Sequence, residues 1–284
     1  RSSVDFDPGP GFANRVALSS ANAFVSKFDK NGNFLDVANL GSRGTERGRD
    51  VAVDANKNVI VTGFFSNGPS DFDPGSGIAN LFANSDDVFV CKLDSNFNYE
   101  WAKDFGGNYD DEAYHLEVDE HGNIYTTGIF GNTVDFDPGS GQEFIVAEGE
   151  MDIFLHRFKP NGDFDFVKTI GSDSLEWSYG MERSPEGDIY LTGAFTDSLD
   201  MNPDTSNSSF LVSDTSSVDV FLVKFDSLGN FQFANSIGGA DEDFGQSVSL
   251  VYGDAIIGGG FKSVNMDFDP GSGVSSLSSA GSED

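Results

Sequence analysis

The chain is short of everything that would cross-link it, carry it through a membrane or seat it on a polyanion. Cys91 is its one cysteine, so an intrachain disulfide is excluded and packing or bound ions must hold the fold. No apolar run approaches the roughly 18 residues that span a bilayer as a helix, so direct membrane insertion is not expected. Only 16 Lys and Arg stand against 47 Asp and Glu, a formal charge of −31 over 284 residues. Such a surface repels nucleic acid and anionic lipid and suits cations or a screening medium. The three histidines, His115, His121 and His156, fall at different points of the internal repeat and form no cluster. No signal peptide is visible, but Arg1–Asp7 reads like Val264–Asp269, so the chain is expected to be a piece of a longer protein.

What is present is a repeat. Asp-Phe-Asp-Pro-Gly stands at Asp5–Gly9, Asp71–Gly75, Asp135–Gly139 and Asp267–Gly271, and a worn copy, Asp200–Asp204, fills the gap. That is one copy about every 65 residues. Between copies lie two hairpins. The first strand alternates with period two over Asn22–Asp29, Asp87–Asp94, Asp152–Lys159 and Asp219–Asp226, placing Phe24, Phe89, Phe154 and Phe221 on one face. A short turn and a second strand lead to a glycine break at Gly41, Gly106-Gly107, Gly171 and Gly238-Gly239. A third strand, another turn and a fourth strand follow. The 28 Phe and 34 Gly fit short buried strands joined by tight turns.

Four antiparallel strands per unit, joined as a meander, describe an all-β β-propeller. The expected layout is four complete blades, at about 10–71, 76–135, 140–200 and 205–267, with 268–284 opening a further one. The run Gly106-Gly107…Asp111…Val118-Asp119…Gly122-Asn123-Ile124-Tyr125…Thr127-Gly128, echoed in the other units, resembles the SBBP-type bacterial β-propeller repeat. That resemblance covers essentially the whole chain. It implies a propeller in a large secreted or surface protein, and implies no particular activity. Unit 3 departs from it at Ser184-Pro185-Glu186, and unit 4 lacks the Asp-x-x-Gly-Asn turn.

Two carboxylates flanking one residue, with Pro-Gly behind them, make a corner for a hard cation, and Ca²⁺ takes about six to eight oxygen ligands. The candidate ligands are Asp5, Asp7, Asp71, Asp73, Asp135, Asp137, Asp200, Asn202, Asp204, Asp267 and Asp269, each ion tying a loop between blades. A second acidic column, Glu46, Asp111, Glu176 and Asp243, lies five residues past each break, at the same ends of the strands, and could add ligands. Against this stands a simpler reading in which Asp caps the turn, Pro and Gly set its dihedrals and Phe fills the core. Asp29–Asn33 also has a calcium-like spacing but reads as a hairpin turn, because its counterparts vary. Lys27, Lys92, Arg157 and Lys224 form a basic column that reads as an ion-paired structural layer.

No unit bears a unique catalytic cluster, and Cys91 shares its column with Ser26, His156 and Val223, which makes it a packing position. The chain therefore reads as a non-enzymatic, calcium-stabilised scaffold or adhesion module, extracellular or on a bacterial cell surface, binding a protein or glycan. The alternatives are a carboxylate-dependent polysaccharide hydrolase or lyase, and an inert spacer within a giant surface protein.

Overall fold

In the computed structural model every element is a β-strand; no helix occurs among the described residues, which are 3–18, 20–204, 206–213 and 217–281. Positions 1–2, 19, 205, 214–216 and 282–284 lie outside the described residues; they include the start of the expected blade 205–267 and the end of the expected tail 268–284.

The chain opens with two hairpins, β1 (Ser3–Asp5) with β2 (Asn14–Val16) and β3 (Ala23–Phe28) with β4 (Phe34–Leu40). Strands β5 (Thr45–Val53), β6 (Val59–Asp71), β7 (Asn80–Leu93) and β8 (Tyr99–Phe105) then form an antiparallel sheet in that order. A second sheet takes β9 (Glu112–Val118), β10 (Ile124–Phe130), β13 (Asp152–Phe158) and β14 (Phe164–Ile170), with the small hairpin β11 (Thr133–Asp135) and β12 (Phe144–Val146) between its middle strands. The third repeats the plan with β15 (Glu176–Arg183), β16 (Ile189–Thr196), β19 (Val218–Phe225) and β20 (Phe231–Ile237), around the hairpin β17 (Ser198–Asp200) and β18 (Phe210–Val212). The chain closes with β21 (Asp243–Val251) paired to β22 (Asp254–Phe261), and the short β23 (Met266–Asp267) paired to β24 (Ser276–Leu277).

The sheets are out of phase with the expected blades. Each four-stranded sheet joins the last two strands of one repeat to the first two of the next. The reason is the pairing across the Asp-Phe-Asp-Pro-Gly loop: β6 and β7 stay in register from Val59↔Leu93 to Asp71↔Asn80, with one shift near Ser66 and Gly68. The loop is thus the tip of a long hairpin inside a sheet, and not a connection between blades. The chain leaves a sheet at the glycine break instead. Boundaries drawn at 71, 135 and 200 cut the three four-stranded sheets found among the described residues through their middles, and the one at 267 falls in the small hairpin β23–β24.

Two compact units divide the chain, one of residues 1–124, 133–145 and 158–165, the other of 125–132, 146–157 and 166–284. The first has a core of Phe65, Phe72, Phe89, Cys91, Leu93 and neighbours; the second gathers Ile153, Leu191, Phe195, Phe221 and Phe225. Central strands are buried on both faces, as in β10, so their polar residues must be satisfied internally. Thr62, Thr127 and Thr192 do this by donating to the carbonyls of Phe89, Phe154 and Phe221 at 2.9, 2.8 and 2.7 Å.

The hairpin turns use aspartate as a clamp. Asp29 Oδ1 accepts the amides of Asn31 and Asn33, and Oδ2 accepts the Asn33 side-chain amide. The same clamp recurs at Asp54–Asn58, Asp94–Asn98, Asp119–Asn123 and Asp226–Asn230. Those hydrogen bonds hold the exposed Asp29 and Asp94 carboxyls below their ordinary values. The Asn residues act here as side-chain partners; positive φ falls on Gly32, Gly122 and Gly229, and on Lys57 and Phe97 where glycine is replaced.

Candidate functional site: buried carboxylates at the glycine breaks

The pentapeptide tip is an anchored turn. Asp71 Oδ1 accepts the amides of Asp73 and Ala79 at 3.1 and 2.8 Å, and Asp73 Oδ1 accepts that of Gly75 at 2.7 Å. Asp5 with Asp7, Asp135 with Asp137 and Asp267 with Asp269 repeat the pattern. In the worn copy Asp200 accepts Asn202 and Ser209, Asn202 accepts Asp204, and Asp204 accepts Ser206. Between the acids, Phe72, Phe136 and Met201 are fully buried. The Phe72 ring lies 4.7 Å from that of Phe89 and 5.3 Å from that of Phe65, which pins the tip to the sheet. A carboxylate oxygen is thus committed to each turn, as in the simpler of the two readings above. Among the described residues no group of three or more His, Cys, Asp or Glu is placed to hold a metal ion.

The second acidic column lies deeper. Glu46, Asp111, Glu176 and Asp243 are at most 1% exposed. Each sits at the start of the first strand of its sheet, or in Asp111's case one residue before it, beside a glycine break. Facing the break from the third strand of a sheet is a second acid, Asp87, Asp152 or Asp219, with Asn22 in that place in the first repeat. A methyl group on Gly106, Gly171 or Gly238 would overlap the carboxyl of Asp87, Asp152 or Asp219, and one on Gly41 would overlap Glu46. The breaks are glycine because a carboxyl group occupies the space a side chain would need. The tip joins the same neighbourhood: Gly41 donates its amide to Asp71 O at 2.9 Å, and Gly238 bridges to Asp267.

Electrostatics distinguish these positions. Burial, with Asp111, Asp104 and Asp86 adding repulsion, pushes Asp87 up to about 8; the Ser85 amide opposes it. Burial also pushes Glu176 up to about 8, against the Ser172 hydroxyl and with Asp152 and Glu148 repelling. Glu46 rises to about 7 through burial, opposed by the Ser70 hydroxyl. Asp87 Oδ1, Glu46 Oε2 and Glu176 Oε2 are buried carboxylate oxygens with no hydrogen-bond partner. At the last break Asp243 is satisfied by the amides of Lys262 and Ser263 and by the Ser263 hydroxyl.

Sequence reasoning found Glu46, Asp111, Glu176 and Asp243 but missed their partners Asp87, Asp152 and Asp219. The signal was a fixed interval: residues 22, 87, 152 and 219 each precede a glycine by 19 positions and an acid by 24. The basic column is ion-paired at Lys92 and Lys224 and reaches neighbouring turns at Lys27 and Arg157. Lys92 meets Asp54 at 3.0 Å and Lys224 meets Asp188 at 2.6 Å, whereas Lys27 and Arg157 donate to the carbonyls of Ser95 and Ser227 in the next repeat's turn. Cys91 is fully buried and its thiol is pushed up, as a packing residue requires.

No protein-family model matches this chain. An uncharacterized WD repeat-containing protein of Acanthamoeba polyphaga mimivirus is 22% identical over 219 residues, which is 69% of this chain and 16% of that protein. The chain is an all-β repeat protein built on four-stranded antiparallel sheets, with a distant likeness to a WD-repeat sequence. The chain spans about a sixth of the length of that relative.

Proposed function

We propose that this chain is a β-propeller scaffold that holds a protein or glycan partner at the outside of a cell and is stiffened by Ca²⁺. WD repeats build four-stranded propeller blades, and the sheets here have that strand number and meander order. The observation that carries the reading is where the repeated chemistry lies. The aspartate clamps, the anchored tips and the glycine cradles all serve architecture. On the face whose carboxylates a glycan-cleaving enzyme would use, the column Glu46, Asp111, Glu176 and Asp243 is at most 1% exposed, out of a sugar's reach. The charge of −31 supports the cation part of the reading, since bound Ca²⁺ relieves self-repulsion.

The test pairs binding with turnover. The chain, immobilised in Ca²⁺ buffer and offered extracellular protein and glycan arrays, should retain a partner saturably without cleaving it. Glycan turnover lost on changing one acid would replace this reading with the hydrolase or lyase. Silence on every array would favour the inert spacer.

A further inference from the structure

We infer that two of the buried acid pairs, Asp87 with Asp111 and Asp152 with Glu176, each hold a calcium ion at a glycine break. The inference rests on the cation part of the reading above and relocates the site from the loop tips to the cradles behind them.

In each pair one acid, Asp87 or Asp152, stands on the third strand of a four-stranded sheet, and the other, Asp111 or Glu176, stands where the next sheet begins. In each, a carboxyl group packs directly against a glycine, Asp87 against Gly106 and Asp152 against Gly171. In each, one carboxylate oxygen is buried and unpartnered, Asp87 Oδ1 in the first and Glu176 Oε2 in the second. The charges that bear on these groups are acidic: Asp111, Asp104 and Asp86 on Asp87, and Asp152 and Glu148 on Glu176. The remaining oxygens hold the acids in place. Asp111 Oδ2 accepts the Gly107 amide at 2.7 Å, Glu176 accepts the Ser172 hydroxyl, and Asp152 accepts the amides of Glu148 and Gly149 at 2.9 and 3.3 Å. Backbone carbonyls add oxygen nearby, Thr133 O beside Gly107, and Ser172 O and Ser174 O beside Gly149. An all-oxygen set with two carboxylates suits a hard divalent cation. Two buried acids facing one another are otherwise destabilising, and a proton or a cation is what relieves them.

The other two breaks serve as internal controls. At the first, Asn22 stands in place of the aspartate and donates to Gly41 O at 2.6 Å, which leaves one carboxyl group in the cradle. At the last, three donors satisfy Asp243. Neither is assigned an ion. Asn22 also shows that the cradle accepts an amide, so Asp87→Asn is expected to fold.

The test uses the whole chain, stripped with EDTA and titrated calorimetrically with CaCl₂, with MgCl₂ in parallel. Asp87→Asn and Glu176→Gln should each remove one bound equivalent of Ca²⁺ and the double variant two, with Asp152→Asn as a second variant at the same site as Glu176→Gln. In EDTA each variant should melt above the wild type, and each should lose part of the gain in melting temperature that Ca²⁺ confers. Unchanged stoichiometry in these variants overturns the inference. If Asp71→Asn with Asp73→Asn removes the ions instead, the loops hold them and the cation reading survives. If the wild type binds no Ca²⁺, both fall.

Discussion

A buried acid facing a backbone glycine recurs at every break in this chain, and Glu46 is its simplest case because its facing residue is Asn22, an amide. Burial raises the Glu46 carboxyl from 4.5 to about 7, with the Ser70 hydroxyl and nearby amides pulling it back. Between those values the folded protein keeps a proton that the unfolded chain has released, so this group's contribution to stability is lost as pH rises from about 4.5 to about 7. Glu46→Gln should remove that slope. Thermal melts should place the variant a few degrees above the wild type near pH 8 and level with it near pH 4. Equal melting temperatures at both would mean that the carboxyl is ionised in the fold at no expense.

At the scale of the strand, the first strand of three repeats carries a basic residue that reaches forward to the next repeat's turn. Lys27 donates to Ser95 O at 2.8 Å, Lys92 to Pro160 O at 3.4 Å and Arg157 to Ser227 O at 2.6 Å. Lys92 is buried and also pairs with Asp54, whose carboxylate clamps the turn at Asn58. Lys92→Met would leave that carboxylate buried and unmatched, a loss on the order of 3 kcal/mol. In a urea-denaturation cycle with Asp54→Asn, the double variant should be clearly less unstable than the two single losses added together. Additivity within about 0.5 kcal/mol would show that the pair is not coupled. The strands themselves were legible in the alternation around Phe89, Phe154 and Phe221. The roles of Thr62, Thr127 and Thr192 were not, because a buried hydroxyl's acceptor lies on a neighbouring strand that no local pattern names.

Across the whole molecule, −31 of formal charge makes like-charge repulsion a general load on the folded state. Screening should lighten it, since the Debye length falls from about 30 Å at 0.01 M salt to about 10 Å at 0.1 M. Scanning calorimetry in NaCl should show the melting temperature climbing over that range and levelling above it. A flat profile would mean that the acids are already neutralised locally. Millimolar Ca²⁺ should raise the midpoint by more than its ionic strength explains, and the cradles are where that excess belongs.

The linear order of residues was enough to establish the strands, the turns and the repeat, because alternation and turn chemistry act between near neighbours. It was not enough to phase the sheets. Asp-Phe-Asp-Pro-Gly looks like a boundary when the chain is cut at its most repetitive point. Hydrogen bonds running from Val59↔Leu93 to Asp71↔Asn80 make it the interior of a sheet. The acidic columns were half visible: Glu46, Asp111, Glu176 and Asp243 were counted, while Asp87 and Asp152 passed as strand residues. Only folding sets two carboxyl groups 24 residues apart around one glycine and withdraws both from water. Desolvation then raises these carboxyls and makes a proton or a cation the partner that relieves them.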